Sequence, residues 1–365
     1  MKKVVAISVV VLFIIIIGML AMRGNERDTE VTKETTKVGL ICNGSVDDKG
    51  WTQAHYEGIM KSAEELNLEI MCKENVFFDD SCAVTMQDMI DRGCEIIICN
   101  SFDYGPHIAQ VAEKNPEITF LHATGLETKK NVATYFGRIY QMRYLCGIVA
   151  GLQTETDSIG YVAAFPIDEV NRGINAFTLG VQAVNPKATV NVYWSNSWTE
   201  DRANALAANT LIDEYDVDVL TMHCDTTAPL DVAESRGIWS VGYNMDNSEL
   251  YPESFLTAAV WHWDKFYTPQ ILKCLQGKFQ TGQHWEGAET GLVDLAPLTS
   301  NVKEGTEEVV REKMEQINSG NFDVFYGPIE DINGNIRVNE GENVPDEMLL
   351  NAFDWYVRGV NIYEE

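Results

Sequence analysis

The chain has 365 residues, 45% hydrophobic, with 27 Lys+Arg against 55 Asp+Glu and a formal net charge of −28. Eight Trp, 14 Tyr and 14 Phe make it too apolar and aromatic for a disordered chain, and ample for one large core or two smaller ones. The acidity argues against a nucleic-acid polymer or an anionic membrane surface as partner, since phosphate contacts need clustered Lys/Arg, and it favours a soluble monomer through self-repulsion.

Lys2 and Lys3 precede an apolar run from Val4 to Met22, broken only by Ser8 and Gly18. At about 1.5 Å per residue the run reaches roughly 28 Å, enough to cross a bilayer's hydrocarbon core. A secretion signal has a shorter apolar stretch, about 7–15 residues, and then a small-x-small site. Ala21 with Met19 two residues before it is a poor one. The first cysteine is Cys42, too far on for lipidation behind the run. Residues 1–22 therefore read as an uncleaved anchor with the Lys pair inside and the bulk outside the cell membrane, cleaved secretion being the alternative. Residues 23–36 are polar and lack aromatics, a tether.

From Lys37 onward, strand, loop and helix alternate. Short apolar runs read as buried strands over Val38–Cys42, Glu69–Cys72, Ile96–Cys99, Thr119–Ala123, Ile159–Ala163, Val190–Tyr193, Val217–Met222 and Trp239–Tyr243. Helical spacing joins Tyr56, Met60, Ala63 and Leu66, then Val84 to Ile90, then Ile108 to Ala112. Continuous apolar strands alternating with helices imply parallel sheets covered on both faces. Eight units suggest two doubly wound lobes of about four strands each. An eightfold barrel competes, weakened by the long helix Ile139–Gln153 where the two sets meet. Farther on, Gly305–Ser319 reads as a charged helix, Asn333-Gly334 as a hairpin turn, and Met348–Val357 as a last helix.

The eight cysteines read as buried free thiols, because a chain of this size needs no staples. Cys72 and Cys82, flanking a short loop, are the pair to expect if any forms. No CxxC occurs, so neither a zinc nor a redox site is supported, and no cofactor is implied. The enzyme motifs GxxxxGK[ST], GxSxG and HExxH are absent, and no GxGxxG follows the first strand. His223-x-Asp225 has no third metal ligand nearby in sequence.

Ligands of open parallel sheets sit beyond the carboxyl ends of the strands. The loops there carry Asp/Asn beside aromatics: Asp47, Asp48, Trp51 and Thr52, then Asn100 and Asp103, then Phe165, Trp198, Asp225, Asn244, Asp246 and Trp261. Amides and carboxylates bind a polar edge directionally, and aromatic faces sandwich something flat. A nucleobase, a nucleoside or a sugar suits both. Each residue also has a plainer reading: Asp48 and Asp103 as helix caps, Trp51 and Trp198 as core aromatics, and Trp263 with Phe266 and Tyr267 as packing.

Long segments resemble the basic membrane protein family of ABC-transporter substrate-binding proteins, which includes purine-nucleoside receptors. They are VGLICNGSVDDKGWTQAHYEG, GYVAAFPIDEVNRGINAFTLGVQAVNP, YWSNSWTED, VLTMHCDTTAPLDVAESRGIWSVGYNMD, NFDVFYGPIEDINGNIRV and FDWYVRGV, in order over Lys37–Val360. The resemblance implies a type I periplasmic-binding fold, α/β, with two doubly wound lobes joined by a three-strand hinge. Lobe 1 is then expected over 37–135 and 245–285, and lobe 2 over 136–244 and 286–365. Trp51, followed by Thr52, stands where the family has Phe-Asn, with Trp198 as its counterpart from the other lobe. Asp47 or Asp48, Asp103, Asp225 and Asp246 match the family's acidic positions. Trp261-His262-Trp263 occupies the region where nucleoside-binding members carry a lysine, which leaves a free nucleobase at least as plausible as a nucleoside. The expectation is an extracytoplasmic receptor, not an enzyme, handing a purine-like ligand to ABC permease subunits. A carbohydrate receptor or hydrolase and a ligand-sensing ectodomain are the alternatives.

Overall fold

The computed structural model describes residues 35–363. The expected anchor over 1–22 and the tether as far as residue 34 lie outside the described residues. Among those described, no helix is long and apolar enough to cross a membrane.

The chain first lays down β1 (Lys37–Ile41), α1 (Trp51–Leu66), β2 (Glu69–Lys73), α2 (Asp80–Asp91), β3 (Cys94–Cys99), α3 (Gly105–Lys114), β4 (Thr119–Ala123) and β5 (Val132–Gly137). With the late strand β11 (Gln283–Glu286) they form a parallel sheet in the order β11-β5-β4-β3-β1-β2. A second set follows: α4 (Tyr140–Gln153), β6 (Ser158–Ala163), α5 (Asp168–Val184), β7 (Thr189–Trp194), α6 (Asp201–Tyr215), β8 (Val219–His223), α7 (Ala228–Arg236), β9 (Trp239–Asn244) and β10 (Phe255–Trp261). Joined by β12 (Val293–Leu295) and β15 (Val360–Tyr363), these strands order as β12-β10-β9-β8-β6-β7-β15, with only β12 antiparallel. The inner strands are buried nearly end to end, as sheets covered on both faces require, whereas the edge strands β2 and β11 are half-buried to exposed. The eight strands read from the sequence are all present, within two residues at each end. Both sheets reverse their winding once, between β1 and β3 and between β6 and β8, and these two switch points face the same crevice.

The chain passes between the sheets three times: after β5, after β10 into α8 (Asp264–Leu275), which packs on α1, and between β11 and β12. The return to the first lobe was expected at 245. It falls instead after Trp261, because β10 pairs in parallel with β9 and belongs wholly to the second sheet.

In the second lobe α4 and α5 lie backbone to backbone. A Cβ on Gly147 would sit 2.0 Å from the Phe177 carbonyl oxygen, and one on Gly180 would sit 2.0 Å from that of Tyr144. Only glycine at both positions permits this approach.

After α9 (Thr306–Asn318) comes the expected hairpin, β13 (Ile329–Glu330) with β14 (Ile336–Val338), whose Gly334 takes φ +79. The expected helix over Met348–Val357 is corrected: α10 (Asp346–Asn351) stops early and Trp355 and Tyr356 lie in irregular chain. The reason is one face of α5. Asp168 accepts from Phe353 N–H, Asn171 donates to Phe353 C=O, Arg172 donates to Leu349 C=O, and Asn175 pairs with both Trp355 C=O and Val357 N–H. These side chains take the backbone groups that a continued helix would have paired internally.

All eight cysteines are free, six of them buried. The Cys72 sulfur lies 4.0 Å from that of Cys42, while Cys82, its expected partner, is buried in α2 and free.

Candidate functional site

A cavity of about 720 Å³ lies between the strand ends of the two sheets. From the first lobe Asn43, Trp51, Asn100 and Asp103 face it, and from the second Phe165, Glu169, Trp198, Asp225 and Tyr243. Leu350 of α10 lines it as well.

Trp51 opens α1 and is held as a fixed wall. Its indole N–H donates to Asn100 C=O at 2.8 Å, and Trp261 and Trp263 support it edge-on at 5.9 and 5.5 Å. Those two rings are themselves stacked at 4.4 Å. Asn100 spends its side-chain oxygen on Asn43 N–H (3.0 Å), leaving its amide Nδ2 buried and without a partner. On the other wall Trp198 tilts against Phe165 at 5.7 Å, and its carbonyl accepts from Asp225 N–H, which ties the two loops together.

Asp225 accepts from Asn244 Nδ2 at 3.2 Å. Burial first, then the neighbouring carboxylates of Asp48 and Glu169, push its carboxyl well above the usual range. The Tyr243 hydroxyl is buried on the same wall with no partner. Behind it His223 stands with Tyr161 Oη on Nδ1 (3.1 Å) and Glu169 Oε1 at 3.6 Å from Nε2. Burial pushes this histidine down to about 4, so it is neutral at physiological pH. Beneath both, the Arg143 guanidinium is fully buried between the rings of Tyr161 and Tyr243, at 4.8 and 5.0 Å.

The residues expected from the sequence therefore divide. Trp51, Asn100, Asp103, Phe165, Trp198 and Asp225 line the cavity. Asp48 instead accepts from the backbone N–H groups of Gly50, Thr52 and Gln53 at 2.8–3.0 Å and caps α1. Asp47 accepts from Ser45 Oγ and lies outside the cavity lining, and Asp246, exposed, caps the turn at Ser248. Thr52 is buried inside α1. Asn244 and Trp261 form a supporting layer: Asn244 sits at φ +72 and joins Asp225 to the Trp261 indole N–H at 3.0 Å. Glu169 and Tyr243 were not singled out in the sequence. Glu169 lies one residue past the loop that held the signal, and Tyr243 ends an apolar strand, where a tyrosine reads as core. Among the described residues no group of three His, Cys, Asp or Glu could hold a metal ion.

Two doubly wound lobes, three connections and a polar, aromatic-walled crevice at both switch points define a solute-binding protein of the type I periplasmic-binding fold. Residues 35–321 match the Bmp family, ABC transporter substrate-binding protein PnrA-like, and the chain belongs to it. It is 35% identical over 331 residues to a purine-binding protein of Brucella abortus, covering 90% of this chain and 94% of that one. It is equally 35% identical over 328 residues to a putative ABC transporter glucose-binding protein of Haloferax volcanii, covering 90% and 81%. Among solved structures, an ABC transporter solute-binding protein from Aeropyrum pernix aligns with a TM-score of 0.69 at 17% identity, over 87% of this chain and 98% of that one.

Proposed function

We propose that the cleft captures a purine nucleobase or nucleoside outside the cytoplasm and presents it, by lobe closure and without chemistry, to an ABC permease. The observation that carries this is the pair of buried polar atoms without a partner on opposite walls, Asn100 Nδ2 and Tyr243 Oη, beside the Trp51 and Trp198 rings. A donor from the first lobe and a hydroxyl from the second, with aromatic rings near both, suit a flat ligand carrying ring nitrogens and carbonyls. The Brucella abortus relative is itself a purine-binding protein.

Charge narrows the class further. Asp103, Asp168, Glu169 and Asp225 line the cavity, and among the described residues no Lys, Arg or His does. A phosphate placed about 6 Å from one carboxylate loses on the order of 1 kcal/mol at intermediate dielectric, so nucleotides are disfavoured. The N-terminal segment is proposed to tether a monomeric receptor to the membrane. Glucose is the second reading, favoured by the Haloferax volcanii relative at the same identity.

Calorimetric titration with adenine, hypoxanthine, their nucleosides, AMP and glucose tests the reading, with the ligand recovered and checked for integrity. Micromolar or tighter binding of an unphosphorylated purine, recovered intact, is expected. Binding of glucose alone, or consumption of the ligand, would refute it.

A further inference from the structure

Cys42, just past β1, and Cys72, in the edge strand β2, bring their sulfurs to 4.0 Å. The two strands are parallel, and the register that sets Leu40 opposite Cys72 puts both sulfurs on one face of the sheet. The same register sets residue 42 two places farther on, opposite residue 74, with Cys42 N–H donating to Lys73 C=O at 2.8 Å. Two residues along a strand at about 3.3 Å each, and about 4.8 Å across, separate the Cα atoms by roughly 8 Å. Disulfides span about 4.4–6.8 Å between Cα atoms. The sulfurs meet while the backbones stand too far apart for a bond between them.

An ion fits where a disulfide does not. Metal–thiolate bonds are about 2.3 Å long, so two of them bridge the 4.0 Å gap at an angle of about 120° with neither sulfur moving. A straight bridge of about 4.6 Å needs each sulfur to retreat by only about 0.3 Å. The surroundings are anionic, since the carboxylates of Glu74 and Asp48 both act on the Cys42 thiol. Alternation along β2 turns the exposed Lys73 to the other face. Cys72 is half-buried, which leaves an ion a way in. The contact between the sulfurs also divides the pair: it holds the Cys72 thiol below the usual range and the Cys42 thiol above it, so Cys72 gives up its proton first.

We propose that Cys42 and Cys72 form a two-thiolate site for a soft monovalent cation, copper(I). Thiolates select soft ions, and zinc wants four ligands where the described residues supply two. Binding breaks two S–H bonds, releases both protons to solvent and makes two S–Cu bonds, with no electron transferred. Neither cysteine lines the cleft, so the ion is not the solute that the cleft captures. It sits at the root of the loop that carries Asn43 into the cleft, a loop already laced to Glu74 by Ser45 Oγ at 2.9 Å and Val46 N–H at 2.8 Å. The site stands independently of the purine reading.

The test is an anaerobic titration of Cu(I), held by bicinchoninate as competitor, into the full chain and into Cys42→Ala, Cys72→Ser and Cys274→Ser. Cys274 is the other half-buried thiol and serves as the control. Wild type and Cys274→Ser are expected to withdraw one Cu(I) per chain from the competitor. Cys42→Ala and Cys72→Ser are each expected to lose about a hundredfold or more in affinity; if the buried Cys42 variant fails to fold, Cys72→Ser carries the comparison. Zn(II) is expected to bind wild type about a thousandfold more weakly than Cu(I), or not at all. No copper uptake, or uptake that Cys72→Ser leaves unchanged, overturns the site. So does a Cys42–Cys72 disulfide in peptides mapped from protein purified in air, which would make the pair a covalent staple. Zinc bound as tightly as Cu(I) overturns the two-thiolate copper assignment.

Discussion

Removing Trp51 separates what the residue does for the fold from what it does for the ligand. The ring is 8% exposed, and it touches His55, Phe136, Trp261 and Trp263. Truncating a buried Trp to Ala costs about 3–5 kcal/mol. Here the low end applies, because the ring borders the cleft of about 720 Å³, from which water can enter the gap. If the ring also stacks on the ligand, Trp51→Ala gives up a further ~1–3 kcal/mol of binding, a loss of about five- to 150-fold in affinity. Trp51→Phe keeps an aromatic face but removes the N–H that holds Asn100 C=O, so its loss is expected near ~1 kcal/mol, about fivefold. The assay is purine titration at a temperature where all three proteins are folded, with urea unfolding run in parallel. Affinity of Trp51→Ala within threefold of wild type, below ~0.7 kcal/mol, would refute the stacking role whatever happens to stability.

Three further outcomes are expected. Asp225 has its pKa raised in the folded protein, so the stability it contributes is complete below the unfolded value of about 3.9 and is lost as pH rises through the higher folded value. Asp225→Asn should therefore unfold at higher urea than wild type above neutral pH, the two converging toward pH 4; parallel curves across that range would contradict the assignment. Gly147→Ala drives a methyl against the Phe177 carbonyl, and neither helix backbone can yield cheaply. It should cost about 2–3 kcal/mol in urea unfolding, and a loss under ~0.5 kcal/mol would mean that α4 and α5 are not held at contact. Asn175→Leu removes both hydrogen bonds to the 355–357 segment, and limited proteolysis between residues 345 and 358 should speed up several-fold while cuts elsewhere do not.

The lobes were legible because parallel strands buried on both faces leave an unmistakable trace, CEIIIC at β3 being typical. Two of the strands not read from the sequence have mixed traces. In β5 the run VATYFG holds a buried Thr and two aromatics, and β11, QHWE, is an edge strand with no apolar period. The last helix misled for a different reason. Met348, Leu349 and Trp355 keep helical spacing, but the capture of backbone groups by Asp168, Asn171, Arg172 and Asn175 acts between segments nearly 200 residues apart. Those four positions recur at helical spacing on α5. A polar stripe of that kind can be read from a sequence, but the segment it will bind cannot.

The site shows a sharper limit. Asp48 and Asp103 look alike in sequence, each an Asp shortly after a strand and shortly before a glycine. Yet Asp48 gives its oxygens to three backbone N–H groups, while Asp103 lines the cavity. The difference lies in what each loop brings within reach: the first amides of α1 fold onto Asp48, whereas Asp103 stands exposed in the turn Phe102–Tyr104 before α3. The same holds for Asn244 and Asp225, neighbours on adjacent strand ends: Asn244 is used up in holding Asp225 and Trp261, and so the carboxylate, not the amide, is left to meet a ligand. Sequence can nominate polar groups at strand ends. Only the pairing of their atoms decides which of them has a bond left to offer, and in this cleft the groups with bonds left to offer include Asn100, Tyr243, Glu169 and Asp225.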